Sequence, residues 1–197
     1  MNYDRISKFI SLVLRHKPEA ANLVLDKYGY AHTNELIAGV KQKYPEFNSY
    51  MLKHIVETDE MQRYSFNDNG KLIRANQGHS IDVDLGLVEQ QPPRLLFHGS
   101  SDKYLRSIQR DGIISKSRQY VHLSKDIDTA HEVGLRHGGS TIVYIVDAKK
   151  MHDDGYKFYL SENGVWLTDT IPYKYIVPHW CNDSSQLNML KFIADEK

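Results

Sequence analysis

Arg15 and His16 end an aliphatic run in "LVLRHKPEA" (12–20), with Lys17 beside them and Pro18 closing the pattern. Arg63 opens and Arg74 closes a second segment, "RYSFNDNGKLIRA", which leads into "NQGHS" at 76–80. Arginine offers a planar fork that matches phosphate oxygens, and histidine adds a short charge-assisted donor. Two Arg and a His meeting at one point suit a terminal phosphate monoester, which carries nearly two charges. A bridging phosphodiester needs little more than one cation. Taken singly, the same residues have a plainer reading. Arg15, His16 and Lys17 favour the negative end of a helix dipole, and Arg63 is solvated.

Two further histidines end strand-like runs, His98 in "LFHGS" and His122 in "YVHLS". Each is followed within two residues by Gly or a small hydroxyl residue, Gly99-Ser100 after His98 and Ser124 after His122. Such turns, the tight one expected at Gly99 included, would let a ligand approach the backbone. "ENGVWL" (162–167) is a third such turn. The plainer reading is that each His satisfies backbone groups near a strand end. Likewise, Asn163-Gly164 reads as an ordinary hairpin with Trp166 in the core. Neither His has a Cys or carboxylate at metal-ligand spacing, so no metal is expected. The chain has no G-x-G-x-x-G after a strand, no G-x-x-x-x-G-K-[ST], no H-E-x-x-H and no G-x-S-x-G. "HGGS" (137–140) reads as a helix stop rather than a phosphate loop. The usual nucleotide folds and a serine hydrolase are therefore disfavoured.

The charge balance restricts where a polyanion can bind. The 25 Lys+Arg cancel the 25 Asp+Glu. Residues 1–80 carry 11 basic and 9 acidic residues, and residues 81–197 carry 14 and 16. A broad basic face is excluded, so any phosphate site is a small local cluster. The 197 residues suffice for one large domain or two small ones. Apolar residues at 41% and charged residues at 25% are ordinary for a globular chain. Asp4, Arg5, Lys8, Arg15, Lys17 and Glu19 within the first twenty positions make a membrane span or signal peptide there unexpected. The single cysteine, Cys181, excludes an internal disulfide and a Cys-based zinc site. A cytoplasmic monomer is the expectation.

The elements that must hold these residues follow from the periodicity. Ile6, Phe9, Ile10 and Val13 recur at helical spacing and face a core, which puts Lys8, Ser11 and Arg15 on the other side. A second helix starts after Thr33 as N-cap, and a third after Asn48. Asn69-Gly70 turns a hairpin. Three helices closed by a hairpin predict a winged-helix-like lobe over 1–80. "IDVDLGLVEQQPPR" (81–94) reads as a linker, because Pro92-Pro93 favours an extended chain. Beyond it, strands are predicted at "RLLFHGS", "YVHLS", "TIVYIVDA", "YKFYLS" and "GVWLT", with only two helices between them, "DKYLRSIQRDG" and "KDIDTAHEVGLRHG". That pattern predicts an α+β sandwich rather than a doubly wound sheet over 95–178. "SSQLNMLKFIADEK" predicts a helical tail of unknown role within 179–197.

The segments "SKFISLVLRHKP", "IRANQGHS", "LLFHGS", "RQYVHLS", "AHEVGLRHGGS" and "ENGVWLT", in this order and spacing, resemble the NAD-dependent RNA 2′-phosphotransferases. The resemblance spans roughly 7–177. It implies a winged-helix lobe followed by an ADP-ribosyltransferase-type β-sandwich lobe. It also implies two substrates, NAD and an RNA carrying a 2′-phosphate, as in a tRNA-like splice product. By motif, Arg15, His16 and Arg63 match the residues that hold the 2′-phosphate. Arg118 in "RQYVHLS" matches a fourth essential residue, which completes the clamp where charge moves between phosphate and nucleotide. His98, Gly99, Ser100, His122, Leu123, Ser124, Asn163, Gly164 and Val165 match nucleotide-binding positions, with Arg136 as a further contact. Ser100 stands where Thr is common, and Tyr30 where Trp is expected; both departures are mild.

The implied reaction has two steps. The 2′-phosphate attacks the nicotinamide-bearing carbon and expels nicotinamide. A ribose hydroxyl of the attached ADP-ribose then attacks phosphorus, which frees 2′-OH RNA and ADP-ribose 1″,2″-cyclic phosphate. Val165 occupies the place where many ADP-ribosyltransferases carry Glu. A phosphate dianion is already anionic and needs no base to activate it, so the reaction needs positioning and charge stabilisation. Two rivals remain at this stage: an ADP-ribosyltransferase for terminal phosphates, and an RNA-binding module without catalysis.

Overall fold

The computed structural model describes residues 3–195. Glu196 and Lys197 of the predicted tail helix, and Met1 and Asn2 of the first predicted lobe, lie outside the described residues. The chain is α+β and forms two compact units. The first comprises Met1–Leu87 together with Ser117–Gln119 and Ser161–Asn163; the second comprises Val88–Lys116, Tyr120–Leu160 and Gly164–Lys197.

In the first unit, α1 (Tyr3–Arg15) buries Ile6, Phe9, Ile10, Val13 and Leu14. On its other face Lys8 is exposed, whereas Tyr64 donates its hydroxyl to the Ser7 carbonyl (2.7 Å) and meets the Ser11 hydroxyl. The helix stops because the His16 and Lys17 amides both close on the Leu12 carbonyl, and Pro18 then opens a short 3₁₀ turn, Pro18–Ala21. Strand β1 (Ala31–His32), helix α2 (Thr33–Lys43) and helix α3 (Ser49–Glu57) follow. Strands β2 (Tyr64–Phe66) and β3 (Leu72–Ala75) form the predicted hairpin, and the antiparallel order is β1-β3-β2. Leu14, Leu36, Phe47, Leu52 and Ile73 are almost fully buried in a single core. Each contributes about 1.5–3 kcal/mol relative to exposure.

Thr33 is not the N-cap expected from sequence. His32 holds that position, and Thr33 is the first helical residue. Thr33 is engaged elsewhere, its amide bonded to the Lys71 carbonyl and its hydroxyl to the Gly70 carbonyl. The Asn48 cap is as predicted, accepting the Met51 amide at 3.1 Å.

The second unit holds three small antiparallel sheets. Strand β4 (Leu95–Ser101) leads into α4 (Leu105–Asp111), β5 (Ile113–Ile114), β6 (Val121–Leu123) and α5 (Ile127–Leu135). Then come β7 (Thr141–Asp147), α6 (Ala148–Asp153), β8 (Tyr159–Leu160), β9 (Trp166–Thr168), β10 (Thr170–Ile171), β11 (Ile176–Trp180) and α7 (Ser184–Asp195). The sheet orders are β11-β7-β4, β6-β9-β8 and β10-β5. Three helices, not two, lie between the strands. The extra one, α6, is capped by Asp147 accepting the Lys150 amide, at the end of a strand whose apolar run hides the switch.

The tight turn expected at Gly99 is absent: β4 runs straight through it, paired with β7 from Leu95↔Asp147 to Ser101↔Thr141. Gly99 is required for packing instead. A Cβ there would stand 1.7 Å from the Ala130 carbonyl oxygen of α5. Alternation along β4 then turns Phe97 and Gly99 toward α5, and His98 and Ser100 to the opposite face of the sheet.

Candidate active site

The four residues matched to phosphate binding all belong to the first unit, because Ser117–Gln119 packs there. Arg15 comes from the last turn of α1, and His16 follows it directly. Arg63 comes from the turn after α3. Arg118 comes from a segment laid along 79–83: the Gln119 amide donates to the His79 carbonyl (3.0 Å), and the Gln119 side chain donates to the Val83 carbonyl (2.9 Å).

The "NQGHS" stretch joins these pieces. The Ser80 amide donates to the Arg15 carbonyl (3.0 Å), and the Ser80 hydroxyl meets His16 Nδ1 (2.9 Å). Gly78, at φ +89°, lies against the Arg15 side chain, which would be 3.6 Å from a Cβ there. A left-handed glycine therefore lets the backbone pass beneath the guanidinium.

The electrostatics of this cluster suit an anion. Arg15 Nε and Nη2 are buried and have no hydrogen-bond partner. Burial, with Arg118 and Arg63 nearby, pushes the Arg15 pKa down to about 10, despite Tyr64 and Asp59 acting the other way. Burial also lowers His16, reinforced by Arg118 and Arg15. Arg118 is lowered by burial as well, although part of its surface stays exposed. A partly desolvated group of like charges is unfavourable alone and favourable around a dianion. Asp59 is the carboxylate that meets Arg63, at 3.2 Å from Nη1. A separate hollow of about 600 Å³ is walled by Glu57, Asp59, Glu60 and Glu162. Its charge has the wrong sign for phosphate.

His79 is a member of the cluster that residue-by-residue reading missed; its signal lay in "NQGHS". It is 1% exposed, and neither ring nitrogen has a hydrogen-bond partner. Burial pushes its pKa down to about 4, with Arg15, His16 and Arg74 adding to the effect. His79 is therefore neutral in the fold, whereas an unfolded histidine takes up a proton near pH 6.5. Between those values the unfolded chain binds more protons, so stability falls as pH falls. From pH 7 to pH 4.5, His79 removes on the order of 2–3 kcal/mol. Urea unfolding at both pH values measures the loss, and His79→Gln shows a shallower acid slope.

The residues matched to nucleotide binding lie in the second unit, with the exception of Asn163. His98 Nδ1 meets the His122 carbonyl at 2.9 Å, and Phe97 and Ser124 exchange both backbone hydrogen bonds. β4 and β6 are thus joined at the two histidine motifs. Ser100 and Leu123 are buried, so Leu123 offers only backbone to a ligand. Tyr144, opposite His98 in the sheet, is fully buried with no partner on its hydroxyl. Burial and Tyr173 push its pKa up to about 12. Arg136 is an exposed residue at the end of α5. Gly164 has φ +76° with open space where a Cβ would stand, and Val165 is half-buried before β9. Asn163 lies in the first unit, where its side chain donates to the Met61 carbonyl (2.9 Å) and accepts from the Ser161 hydroxyl (2.8 Å). Among the described residues, no group of three or more His, Cys, Asp or Glu could hold a metal ion, and no helix is long and apolar enough to cross a membrane.

A sequence model described as RNA 2′-phosphotransferase, Tpt1 / KptA family matches residues 2–170. The chain belongs to that family. It is 51% identical over 172 residues to a protein of Fusobacterium nucleatum, which covers 87% of this chain and 96% of the relative. A relative from Flavobacterium johnsoniae is 49% identical, covering 87% and 93%, and one from Acaryochloris marina is 46% identical, covering 87% and 94%. All three are named "Probable RNA 2′-phosphotransferase". Membership in an RNA 2′-phosphotransferase family supplies a chemical counterpart for the cation cluster, a phosphate monoester on RNA. The match ends before β11 and α7, so the C-terminal helix lies outside the family's shared region.

Proposed function

We propose that this chain removes an internal 2′-phosphate from RNA by transferring it to NAD. The observation that carries this reading is the buried Arg15 guanidinium, with Nε and Nη2 unpartnered, beside His16, Arg63 and Arg118. Two buried donors on a positive group are costly unless an anion accepts from them. The first unit is read as the winged-helix-like RNA lobe, and the second as the ADP-ribosyltransferase-type NAD lobe.

In the first step, a phosphate oxygen forms a bond to the nicotinamide-bearing carbon as the carbon–nitrogen bond breaks, and nicotinamide leaves with that electron pair. The clamp residues orient the dianion for this attack. His98, Gly99, Ser100, His122, Leu123, Ser124, Arg136, Gly164 and Val165 form the NAD-binding set. In the second step, the 2″-hydroxyl of the ribose bonds to phosphorus and the bond from phosphorus to the RNA 2′-oxygen breaks. The hydroxyl proton passes to the departing oxygen, and the charge there develops beside the clamp. His16, with one nitrogen on Ser80, has the other available to a phosphate oxygen or the departing 2′-oxygen. No metal enters either step as proposed.

The test is a short RNA with one internal 2′-phosphate, incubated with and without NAD. The expected result is NAD-dependent loss of the phosphate, with nicotinamide and ADP-ribose 1″,2″-cyclic phosphate released in equal amounts. ADP-ribose retained on the RNA would replace this reading with a terminal-phosphate type of transferase. Binding without nicotinamide release would replace it with a binding module.

A further inference from the structure

Arg63 is presented by a turn whose backbone is held from three sides. The turn itself is tight: the Gln62 amide donates to the Asp59 carbonyl (2.7 Å), and Gln62 adopts φ +45°, unusual for a residue with a side chain. The Asp59 carboxylate accepts the Arg63 amide at 2.6 Å through one oxygen and meets Arg63 Nη1 through the other. The two carbonyls just before Arg63 are each taken by a side-chain amide. Asn76 donates to Gln62 (2.7 Å), and Asn163 donates to Met61 (2.9 Å). The Asn76 amide in turn donates to the Arg63 carbonyl (2.9 Å). Asn163 is 102 positions from the residue it holds, and its own oxygen is fixed by Ser161.

We infer that Asn163 is a positioning residue for Arg63, holding the turn that aims this guanidinium at the RNA 2′-phosphate, and not a nucleotide ligand. The argument is one of hydrogen-bond capacity. A primary amide has two N–H donors and one oxygen, and here one donor and the oxygen are engaged on the protein. A strained turn such as Gln62 persists where its surroundings over-determine it. Removing the Met61 contact leaves a carbonyl unmatched and frees the turn to relax. The relaxation misdirects a guanidinium whose value depends on fork geometry.

The inference rests on the proposed phosphate clamp, and the experiment separates the two. Equilibrium binding is measured for one RNA with and without its 2′-phosphate, and separately for NAD. In Asn163→Ala the phosphate-dependent part of RNA affinity falls about tenfold, roughly 1.4 kcal/mol, with NAD affinity within about twofold of wild type. Asn163→Asp keeps the size but sets an acceptor against the Met61 carbonyl, and it behaves likewise. In an Arg63→Ala background, adding Asn163→Ala changes RNA affinity by less than about twofold, because the residue it acts through is gone. A loss of NAD affinity with RNA affinity intact would overturn the inference. So would an equal penalty in both backgrounds. Should wild type bind both RNAs equally, the clamp itself fails. Hydrogen exchange at the Arg63 amide then still decides the turn: faster exchange in Asn163→Ala supports the positioning, and unchanged exchange overturns it.

Discussion

Replacing Arg15 with alanine lowers kcat/KM for 2′-phosphate removal by about 10²–10³-fold, while the protein stays folded. Arg15 lies at the end of α1, and its neighbours in charge are Arg63, Arg118 and His16. Deleting it relieves like-charge crowding, so the folded state gains some stability as the anion loses a donor. Activity and stability therefore move in opposite directions, which a residue serving only the core would not do. Arg15→Lys restores little, because a single ammonium cannot reproduce a two-pronged contact from a buried position. Single-turnover assays with saturating NAD, beside thermal melts, read both quantities. An Arg15→Ala enzyme within a few-fold of wild type would remove Arg15 from the site.

Gly99→Ala has the opposite profile. Its Cβ would lie 1.7 Å from the Ala130 carbonyl and 2.8 Å from the Gly134 amide nitrogen, both backbone atoms of α5. Neither can move as a flexible side chain would, so the helix must lift from the sheet. The expected cost is about 3 kcal/mol or more, seen as a fall in Tm of roughly 10 °C. On the proposed reading NAD affinity falls with it, because His98 and Ser100 flank Gly99 on the same strand. Gly164→Ala is the contrast: φ is +76° but the space is open, so the cost is about 1 kcal/mol of backbone strain. Equal costs at the two glycines would show that α5 does not pack this closely on β4.

Local pattern made much of the first unit legible. The α1 stripe, the Asn48 cap and the Asn69-Gly70 hairpin depend on interactions within a few residues, and all three are present. The misreadings have one cause. Thr33 has the side chain of a cap, but a hairpin 37 positions away takes its hydroxyl. Gly99 has the look of a turn residue, but a helix from a later segment requires its missing Cβ. In both cases a distant partner overrode a local preference.

The site divides in the same way. Residue types and motif order were enough to suggest a phosphate ligand, to nominate Arg15, His16, Arg63 and Arg118, and to identify the family that the sequence comparison shows. They did not reveal that Arg15 is buried with unpartnered nitrogens, that His79 is neutral beside it, or that Ser80 reaches both Arg15 and His16. Nor did they reveal that Asn163 is engaged by the Met61 carbonyl. Chemical capacity belongs to a side chain and can be read from its letter. Desolvation, charge crowding and hydrogen-bond partnership depend on which remote segments the fold brings together, and these arise only in three dimensions.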